Sequence, residues 1–309
     1  MPATPHRQRK PEWLRKPSVL SPELREVRQL LRDLKLNTVC EEASCPNIGE
    51  CFGRGTATFM IGGDRCTRRC HYCDVTTGKP FPLDPLEPGN VAEAAARLNL
   101  RYVVVTAVAR DDVKDGGARH FARTIQAIRQ RLPAAEIEVL IPDFKGDSDA
   151  LQVVLQAEPD VLNHNIETVR RLFDLVRPQG DYDRSLELLA RCREYAPHIQ
   201  AKSGLMVGLG ETPEEVCSTM SELRQVGVEL VTLGQYLQPT LQHLAVAEYV
   251  PQDQYDVYRA YGQTLGFRAT FAGPFVRSSF HAGELHEHSQ DTQAVLATDI
   301  GGWIALEAR

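Results

Sequence analysis

The stretch ATFMIGGDRCTRRCHYCDV, residues 57–75, places three closely spaced cysteines directly after a short apolar run. The run is too short for a typical helix and ends on two glycines, which predicts a buried strand followed by a turn. Cys66, Cys70 and Cys73, the first triplet, have the spacing C-x3-C-x2-C. Because thiolates are soft ligands, three of them in one loop favour zinc or an iron–sulfur cluster. The stretch therefore predicts a metal-binding loop at the end of a strand.

Short β-rich runs continue to alternate with helical patterns along the chain. Six strand–helix units predict a parallel sheet, because each parallel crossover needs a connection of helix length. Eight units would close a barrel, so the fold class that we expect is α/β, an incomplete (β/α)6 barrel. The predicted strands are 57–63, 102–108, 136–142, 161–166, 199–208 and 229–237, with a further strand-like run at 267–273 after a helix at 253–265. The other predicted helices are 90–98, 118–131, 148–157, 167–176 with 184–195, and 213–226.

These patterns divide the chain into three parts. Residues 57–240 form the partial barrel, and residues 1–56 and 241–309 are an N-terminal and a C-terminal extension. In barrels of this kind the active site gathers at the carboxyl ends of the strands. The first triplet follows the first strand and is therefore expected at that end.

The bulk composition narrows the class of protein. The chain has 309 residues, is 42% hydrophobic and 25% charged, and carries a formal net charge of −6. The negative charge argues against general binding of nucleic acid, and no apolar run approaches the roughly 20 residues of a membrane span. No stretch resembles a secretory signal, so we expect a cytoplasmic monomer. Six of the eight cysteines fall between Cys40 and Cys73, and this cluster favours metal ligation over disulfides, whereas Cys192 and Cys217 are expected to be buried apolar residues.

The first triplet leaves the metal coordination incomplete. A structural zinc would need a fourth protein ligand, and His71 lies inside the loop between two of the cysteines, where it would strain the geometry. A 4Fe–4S cube held by three cysteines leaves one iron free for a ligand that is not protein. We favour the open cluster, and structural zinc remains the alternative.

A second triplet, Cys40, Cys45 and Cys51, occurs in CEEASCPNIGEC with the spacing C-x4-C-x5-C. Three thiolates together again favour a metal site over idle cysteines. The neighbouring sequence supplies no fourth cysteine or histidine.

The two triplets, in this order, resemble the lipoyl synthase family of the radical S-adenosylmethionine (SAM) superfamily. The aromatic residue before Cys73 belongs to the superfamily pattern. Further segments that resemble this family run in family order from about residue 35 to 285: 58–80, 110–118, 163–169, 202–212, 232–240 and 273–284.

The resemblance implies an enzyme with two 4Fe–4S clusters that uses SAM as a cosubstrate. The first triplet would bind the cluster at which SAM is cleaved to methionine and a 5′-deoxyadenosyl radical. The second triplet would bind an auxiliary cluster, with Ser279 of Arg277-Ser278-Ser279-Phe280 as its fourth ligand and its sulfide as the sulfur donor. Two sulfur atoms would be inserted at C6 and C8 of an octanoyl chain on a lysine. Six residues near predicted strand ends are candidate contacts of SAM: Asn163, Asn165, Arg177, Lys202, Gly208 and Glu211.

The resemblance also implies partners. These are octanoylated lipoyl carrier domains, found in acyltransferase subunits of 2-oxo acid dehydrogenases and in the glycine-cleavage carrier protein. An electron donor such as ferredoxin or flavodoxin and a carrier that rebuilds the auxiliary cluster would complete the set. The alternatives are a sulfur-inserting enzyme resembling biotin synthase, and a non-catalytic zinc or iron–sulfur module.

Overall fold

The computed structural model describes residues 9–15, 22–53, 57–280, 282–284 and 286. Within this part an eight-stranded sheet carries most of the helices on one face. The strands are β1 Asn37–Thr38, β2 Thr58–Ile61, β3 Tyr102–Ala107, β4 Glu136–Leu140, β5 Val161–Asn163, β6 Gln200–Val207, β7 Leu230–Gln235 and β8 Ala269–Gly273. The helices are α1 Pro22–Asp33, α2 Val39–Glu42, α3 Ile48–Gly53, α4 Glu87–Arg97, α5 Ala118–Arg131, α6 Ser148–Leu155, α7 Phe173–Val176, α8 Tyr182–Tyr195, α9 Pro213–Gln225 and α10 Gln252–Leu265.

The sheet follows the order of the chain, from β1 to β8, and is not a closed barrel. Strands β2 to β8 are parallel, whereas the two-residue β1 pairs antiparallel with β2. The prediction of an incomplete parallel barrel is confirmed. The strand-like run at 267–273 is β8, a seventh parallel strand, and β1 was not predicted because two residues carry no periodicity.

The outer face of the sheet packs on the helices through β-branched side chains. Val103, Val105, Ile137 and Val139 are fully buried in one hydrophobic core. Helix α1 contributes three apolar side chains at helical spacing to this core, so the N-terminal extension is docked on the barrel: Leu24, Val27 and Leu31.

The inner face carries a polar layer near the middle of the strands. The Lys202 ammonium contacts both carboxylate oxygens of Glu138 at 2.8 Å, and both side chains are fully buried. Tyr102 and Asn163 donate further hydrogen bonds to the same carboxylate, at 2.8 and 3.1 Å. Since a buried charge is costly unless it is paired and hydrogen-bonded, this network closes the interior below the carboxyl end of the sheet.

Several helix boundaries follow local sequence signals. Thr212 caps α9 in a capping box with Glu215, and Pro213 occupies the first turn. The predicted helix at 167–176 is instead a 3-10 turn, Arg170–Leu172, followed by the short α7. Among the described residues, no helix has both the length and the apolar character that a membrane span requires. The part boundaries at residues 56 and 240 stay predictions, although β8 joins the sheet from the C-terminal part.

Candidate active site

A cavity of about 510 Å³ opens at the carboxyl end of the sheet. All six cysteines of the two triplets line it, and so do Ser278 and Ser279. The sequence-predicted ligands, which span more than two thirds of the chain, therefore meet in one place.

The loop of the first triplet turns sharply as it leaves β2. Gly62 and Gly63 have φ values of +83° and +97°, a region that favours glycine. Cys66 is then paired across the loop: its backbone N–H donates to the Thr76 carbonyl, and its carbonyl accepts from Gly78 N–H. The loop is thus a closed turn with defined positions for its thiols.

Arg68 fastens this loop to the neighbouring strand ends. Its guanidinium donates two hydrogen bonds to Asp111, at 2.8 and 2.9 Å, and contacts Asp143 at 2.6 Å. Burial alone would raise the pKa of Asp143, but the adjacent Arg68 holds that pKa well below its ordinary value. A buried pair of this kind is strongly destabilised when one partner is removed, so the Arg68 contacts fix the loop.

The other side of the loop is fixed through His71. The His71 backbone N–H donates to Val176, its carbonyl accepts from Leu244 N–H, and its Nδ1 lies 2.7 Å from the Leu175 carbonyl oxygen. His71 is exposed and does not line the cavity. Its position offers no support for the zinc alternative.

The second triplet lies before β2, with Cys40 on α2, Cys51 on α3 and Cys45 in the turn between these helices. Thr38 caps α2, and the Thr58 backbone N–H donates to the thiol of Cys40, which joins the triplet to β2. Ser44 and Asp74 are 2.5 Å apart through their side-chain oxygens and connect the two cysteine loops. The two triplets are therefore linked directly as well as through the cavity.

A C-terminal segment, residues 275–280 (the serine segment), packs over the mouth of the barrel. The Asn47 side chain donates to the Phe275 carbonyl at 2.8 Å, although the two residues are 228 positions apart. The segment lies so close to β7 that a Cβ on Gly234 would be 2.0 Å from the Val276 carbonyl oxygen. Only glycine allows this approach.

The two serines of the segment have different environments. Asn165 donates a hydrogen bond to the Ser278 hydroxyl at 3.1 Å. No group in the described part of the chain bonds the Ser279 hydroxyl, which lines the cavity together with the second triplet. Of the two hydroxyls, only that of Ser279 is without a hydrogen-bond partner among the described residues.

Arg277 is half-buried beside Cys45 of the second triplet. In the part of the chain that the structure describes, its guanidinium bonds only the carbonyls of Pro274 and Val276. Burial lowers the pKa of Arg277, whereas the nearby Cys45 raises it. A half-buried cation without a carboxylate partner is suited to face an anionic group in the cavity.

Two of the six predicted SAM contacts lie at the cavity, Asn165 and Arg177. Between them on the chain, Glu167 has a φ of +70° and accepts hydrogen bonds from Tyr72 and Asn165. Burial raises the pKa of the Glu167 carboxyl, and Arg177 lowers it. A strained backbone at a non-glycine residue that faces a cavity is a common mark of a functional site.

The other four predicted contacts do not line the cavity. Asn163 and Lys202 belong to the buried polar layer around Glu138, so the prediction that Lys202 meets a SAM carboxylate loses its geometric basis. Glu211 accepts the backbone N–H groups of Gly208 and Leu209, which closes their loop. These residues stabilise the strands and the loop around the cavity.

His164 is a cavity residue that sequence reasoning missed. Its Nδ1 lies 2.8 Å from the Ile141 carbonyl, and its buried Nε2 has no hydrogen-bond partner among the described residues. Burial lowers the pKa of His164 to about 4, with Arg177 acting in the same direction. The ring is therefore neutral at pH 7 and Nε2 is an acceptor. Its position at the end of β5 was the only sequence signal.

The donor set fits iron–sulfur clusters. All six cysteines are free thiols, and burial raises the pKa of Cys40 to about 12 and of Cys70 to about 11. Buried thiols of this kind become ligands when a metal displaces their protons. No three described histidine, cysteine, aspartate or glutamate side chains converge on a point that would hold one metal ion. Since each thiolate of a 4Fe–4S cube binds a different iron, its donors stand further apart than those of a single ion.

Comparison with known proteins decides the family. The family model of the radical SAM superfamily matches residues 60–223. The chain is 54% identical to lipoyl synthase of Caldanaerobacter subterraneus subsp. tengcongensis over 89% of this chain and 96% of that protein. The chain belongs to the lipoyl synthase family. Lipoyl synthase of Acidithiobacillus ferrooxidans is 53% identical over 91% of this chain and 89% of that protein.

Solved structures agree on the fold. A maturase of FeFe-hydrogenase matches with a TM-score of 0.54 at 15% identity, over 86% of this chain and 65% of that one. Methylornithine synthase matches with a TM-score of 0.50 at 13% identity, over 82% of both chains. As a radical SAM enzyme of the lipoyl synthase family, the protein uses a 4Fe–4S cluster and SAM.

Proposed function

We propose that the cavity is the active site of a lipoyl synthase. The enzyme inserts sulfur at C6 and C8 of an octanoyl chain held on a lysine of a carrier protein, the final step in making the lipoyl cofactor. One observation carries the assignment of the site: both cysteine triplets and the two serines line the same cavity. A reaction that needs a radical and a sulfur donor at the same carbon requires this proximity.

Cys66, Cys70 and Cys73 hold the cluster that binds SAM. Bound together, this cluster and SAM supply a radical that removes hydrogen from an unactivated carbon. The chain orients the group through the Arg68 contacts with Asp111 and Asp143, and Arg68 also donates its backbone N–H to the Cys66 sulfur at 3.4 Å. Hydrogen bonds to ligand sulfurs tune the reduction potential of such clusters.

Cys40, Cys45, Cys51 and Ser279 hold the auxiliary cluster. The Arg277 guanidinium lies beside Cys45 and compensates its negative charge. A hard oxygen ligand holds iron less firmly than a thiolate does. An iron bound by Ser279 would therefore be held less firmly than an iron bound by one of the three cysteines.

The polar wall after β5 receives SAM. Arg177 supplies a cation for the carboxylate of SAM, and Glu167 an anion for its amino group. His164 Nε2 and Asn165 Oδ1 are buried acceptors without partners among the described residues, and they suit the ribose hydroxyls. Two of these four side chains, Asn165 and Arg177, were among the six contacts predicted from sequence, and Glu167 and His164 are added to them.

Octanoylated carrier proteins are the substrates of the family, and an acyltransferase subunit of a 2-oxo acid dehydrogenase or the glycine-cleavage carrier protein is the proposed partner here. A ferredoxin or flavodoxin supplies the electron, and a cluster carrier restores the auxiliary cluster after turnover.

The test is anaerobic incubation of the reconstituted protein with SAM, a reductant and an octanoyl-lysine peptide, followed by mass spectrometry. Two added sulfur atoms are expected. Ser279→Cys is expected to keep its iron but to insert sulfur more slowly, and Ser278→Ala serves as the neighbouring control. Sulfur insertion at the full rate in Ser279→Cys would contradict the role of the weak ligand, and zinc in place of iron would contradict the function.

A further inference from the structure

The cavity is divided by polarity. The wall after β5 carries the charged and acceptor groups, including Glu167 and Arg177. The wall on β2 to β4 lies between the two triplets and is mainly apolar, with Met60 and Leu140 facing the cavity. An alkyl chain gains free energy only against the apolar wall, because burying it among unpaired polar groups would strand them.

The apolar wall ends in a continuous row of side chains. Met60 on β2 is the direct cross-strand partner of Thr106 on β3, and Thr106 is the direct partner of Leu140 on β4. All three line the cavity, and Met60 and Thr106 are almost fully buried. The first triplet follows the carboxyl end of β2, so this row (the floor row) lies deeper than the loop of the first triplet. The Cys40 thiol of the second triplet instead lies level with Thr58, two positions before Met60.

The layer below the floor row is closed on β4, whereas on β2 the cavity reaches Thr58 beside the Cys40 thiol. Side chains two positions apart on a strand face the same side, so Glu138 lies directly below Leu140. Glu138 is fully buried in its pair with Lys202, and Tyr102 donates to the same carboxylate. A chain that passed the floor row at Leu140 would have to break this network and leave a buried charge unpaired.

We propose that the floor row, Met60, Thr106 and Leu140, stops the methyl end of the octanoyl chain and so sets its length at eight carbons. The proposal rests on the proposed function. C8 is the terminal carbon of the chain, so both sulfur positions lie at its inner end. A fixed stop below the first triplet holds C6 and C8 at a constant depth, whereas a longer chain would place the wrong carbons beside the thiols of that loop.

The wild-type protein provides a test that needs no substitution. Hexanoyl-, octanoyl- and decanoyl-lysine peptides are titrated against the reconstituted protein with SAM but without reductant, in competition with a fluorescent octanoyl peptide. Octanoyl is expected to bind tightest, and decanoyl at least tenfold more weakly. Decanoyl binding within twofold of octanoyl would overturn the proposal.

Leu140→Ala deepens the floor and is expected to reduce the decanoyl-to-octanoyl ratio of Kd values at least fivefold. Met60→Ala is a second, independent variant with the same expected direction. The matched control is Val139→Ala, on the same strand but facing the helices, which should keep the wild-type ratio. Folding is checked by circular dichroism, and the wild-type series decides if both variants fail to fold.

A wild-type ratio in folded Leu140→Ala and Met60→Ala, or an equal change in Val139→Ala, would overturn the floor row as the stop. Failure of the proposed function is a separate result: with reductant, the wild-type protein would add no sulfur to the octanoyl peptide, whichever peptide it binds best.

Discussion

The first triplet and the second triplet are built in opposite ways. The first triplet lies in one eight-residue loop, and Arg68 and His71 fasten that loop to the barrel from two sides. The second triplet lies on two short helices and the turn between them, before the barrel, and its proposed oxygen donor comes from the serine segment near the far end of the chain. One hydrogen bond, from Asn47 to Phe275, joins these ends across 228 positions.

The difference matches the proposed roles. A site that keeps its cluster through every turnover gains from a rigid loop with buried charge pairs. A site whose cluster is consumed must release and reload iron, and a donor on a separate segment can withdraw without unfolding the barrel. The following experiments test this contrast.

Removing the triplets one at a time has the largest expected effect. Alanine in place of all three cysteines of the first triplet should remove about half of the bound iron and all SAM cleavage, because this triplet is proposed to hold the cluster that binds SAM. The same change in the second triplet should remove the other half, abolish sulfur insertion and leave SAM cleavage intact. Iron and sulfide analysis with mass spectrometry of both products measures this. Loss of SAM cleavage in both variants would contradict separate roles.

Arg68→Met removes the ion pairs that hold the loop of the first triplet against the neighbouring strand ends. It leaves the fully buried Asp143 without its nearest cation, and we expect a loss of about 3–5 kcal/mol in the free energy of unfolding. Arg97→Met removes an exposed i,i+4 pair with Glu93 and should cost less than about 1 kcal/mol. Urea unfolding of the two apoproteins compares them. Equal losses would mean that the buried contacts do not stabilise the loop.

Asn47→Ala removes the hydrogen bond that joins the serine segment to the second triplet. The expected cost in stability is about 1 kcal/mol, with a selective loss of iron from the second site. Asn90→Ala is the matched control, because Asn90 donates a similar bond to the Leu34 carbonyl at 3.0 Å. The iron content per chain is measured together with SAM cleavage, and SAM cleavage shows whether the first site is intact. Iron loss in Asn90→Ala as large as in Asn47→Ala would show a general effect.

The smallest expected effect is the pH dependence of stability that comes from His164. Arg177, Asp143 and Arg68 are the charged groups around its ring. Its folded pKa of about 4 lies below the ordinary 6.5, so the unfolded state takes up a proton first as the pH falls. Stability should therefore decrease between about pH 6.5 and pH 4, by at most about 1.4 kcal/mol per pH unit from this group. His164→Gln should flatten that slope in urea titrations. An unchanged slope would assign the pH dependence to other groups.

The sequence by itself determined the seven parallel strands and predicted the cysteine ligands. Strands and helices follow from local periodicity, and the first triplet is recognisable because its three thiols lie within eight residues. The resemblance to lipoyl synthases predicted Ser279 as a ligand, whereas the local pattern alone indicates only a polar turn.

Only the tertiary structure decided which polar residues face the cavity. Asn163 and Asn165 lie two positions apart at the end of β5, yet Asn163 joins the buried Glu138 pair while Asn165 lines the cavity. The sequence suggested that Lys202 could bind an anion, but its ammonium is paired with Glu138, which is 64 positions away in sequence. Side-chain roles of this kind depend on contacts between distant strands, and a local pattern carries no information about such contacts. The same reason hides the floor row, whose three members come together only through the register of β2, β3 and β4.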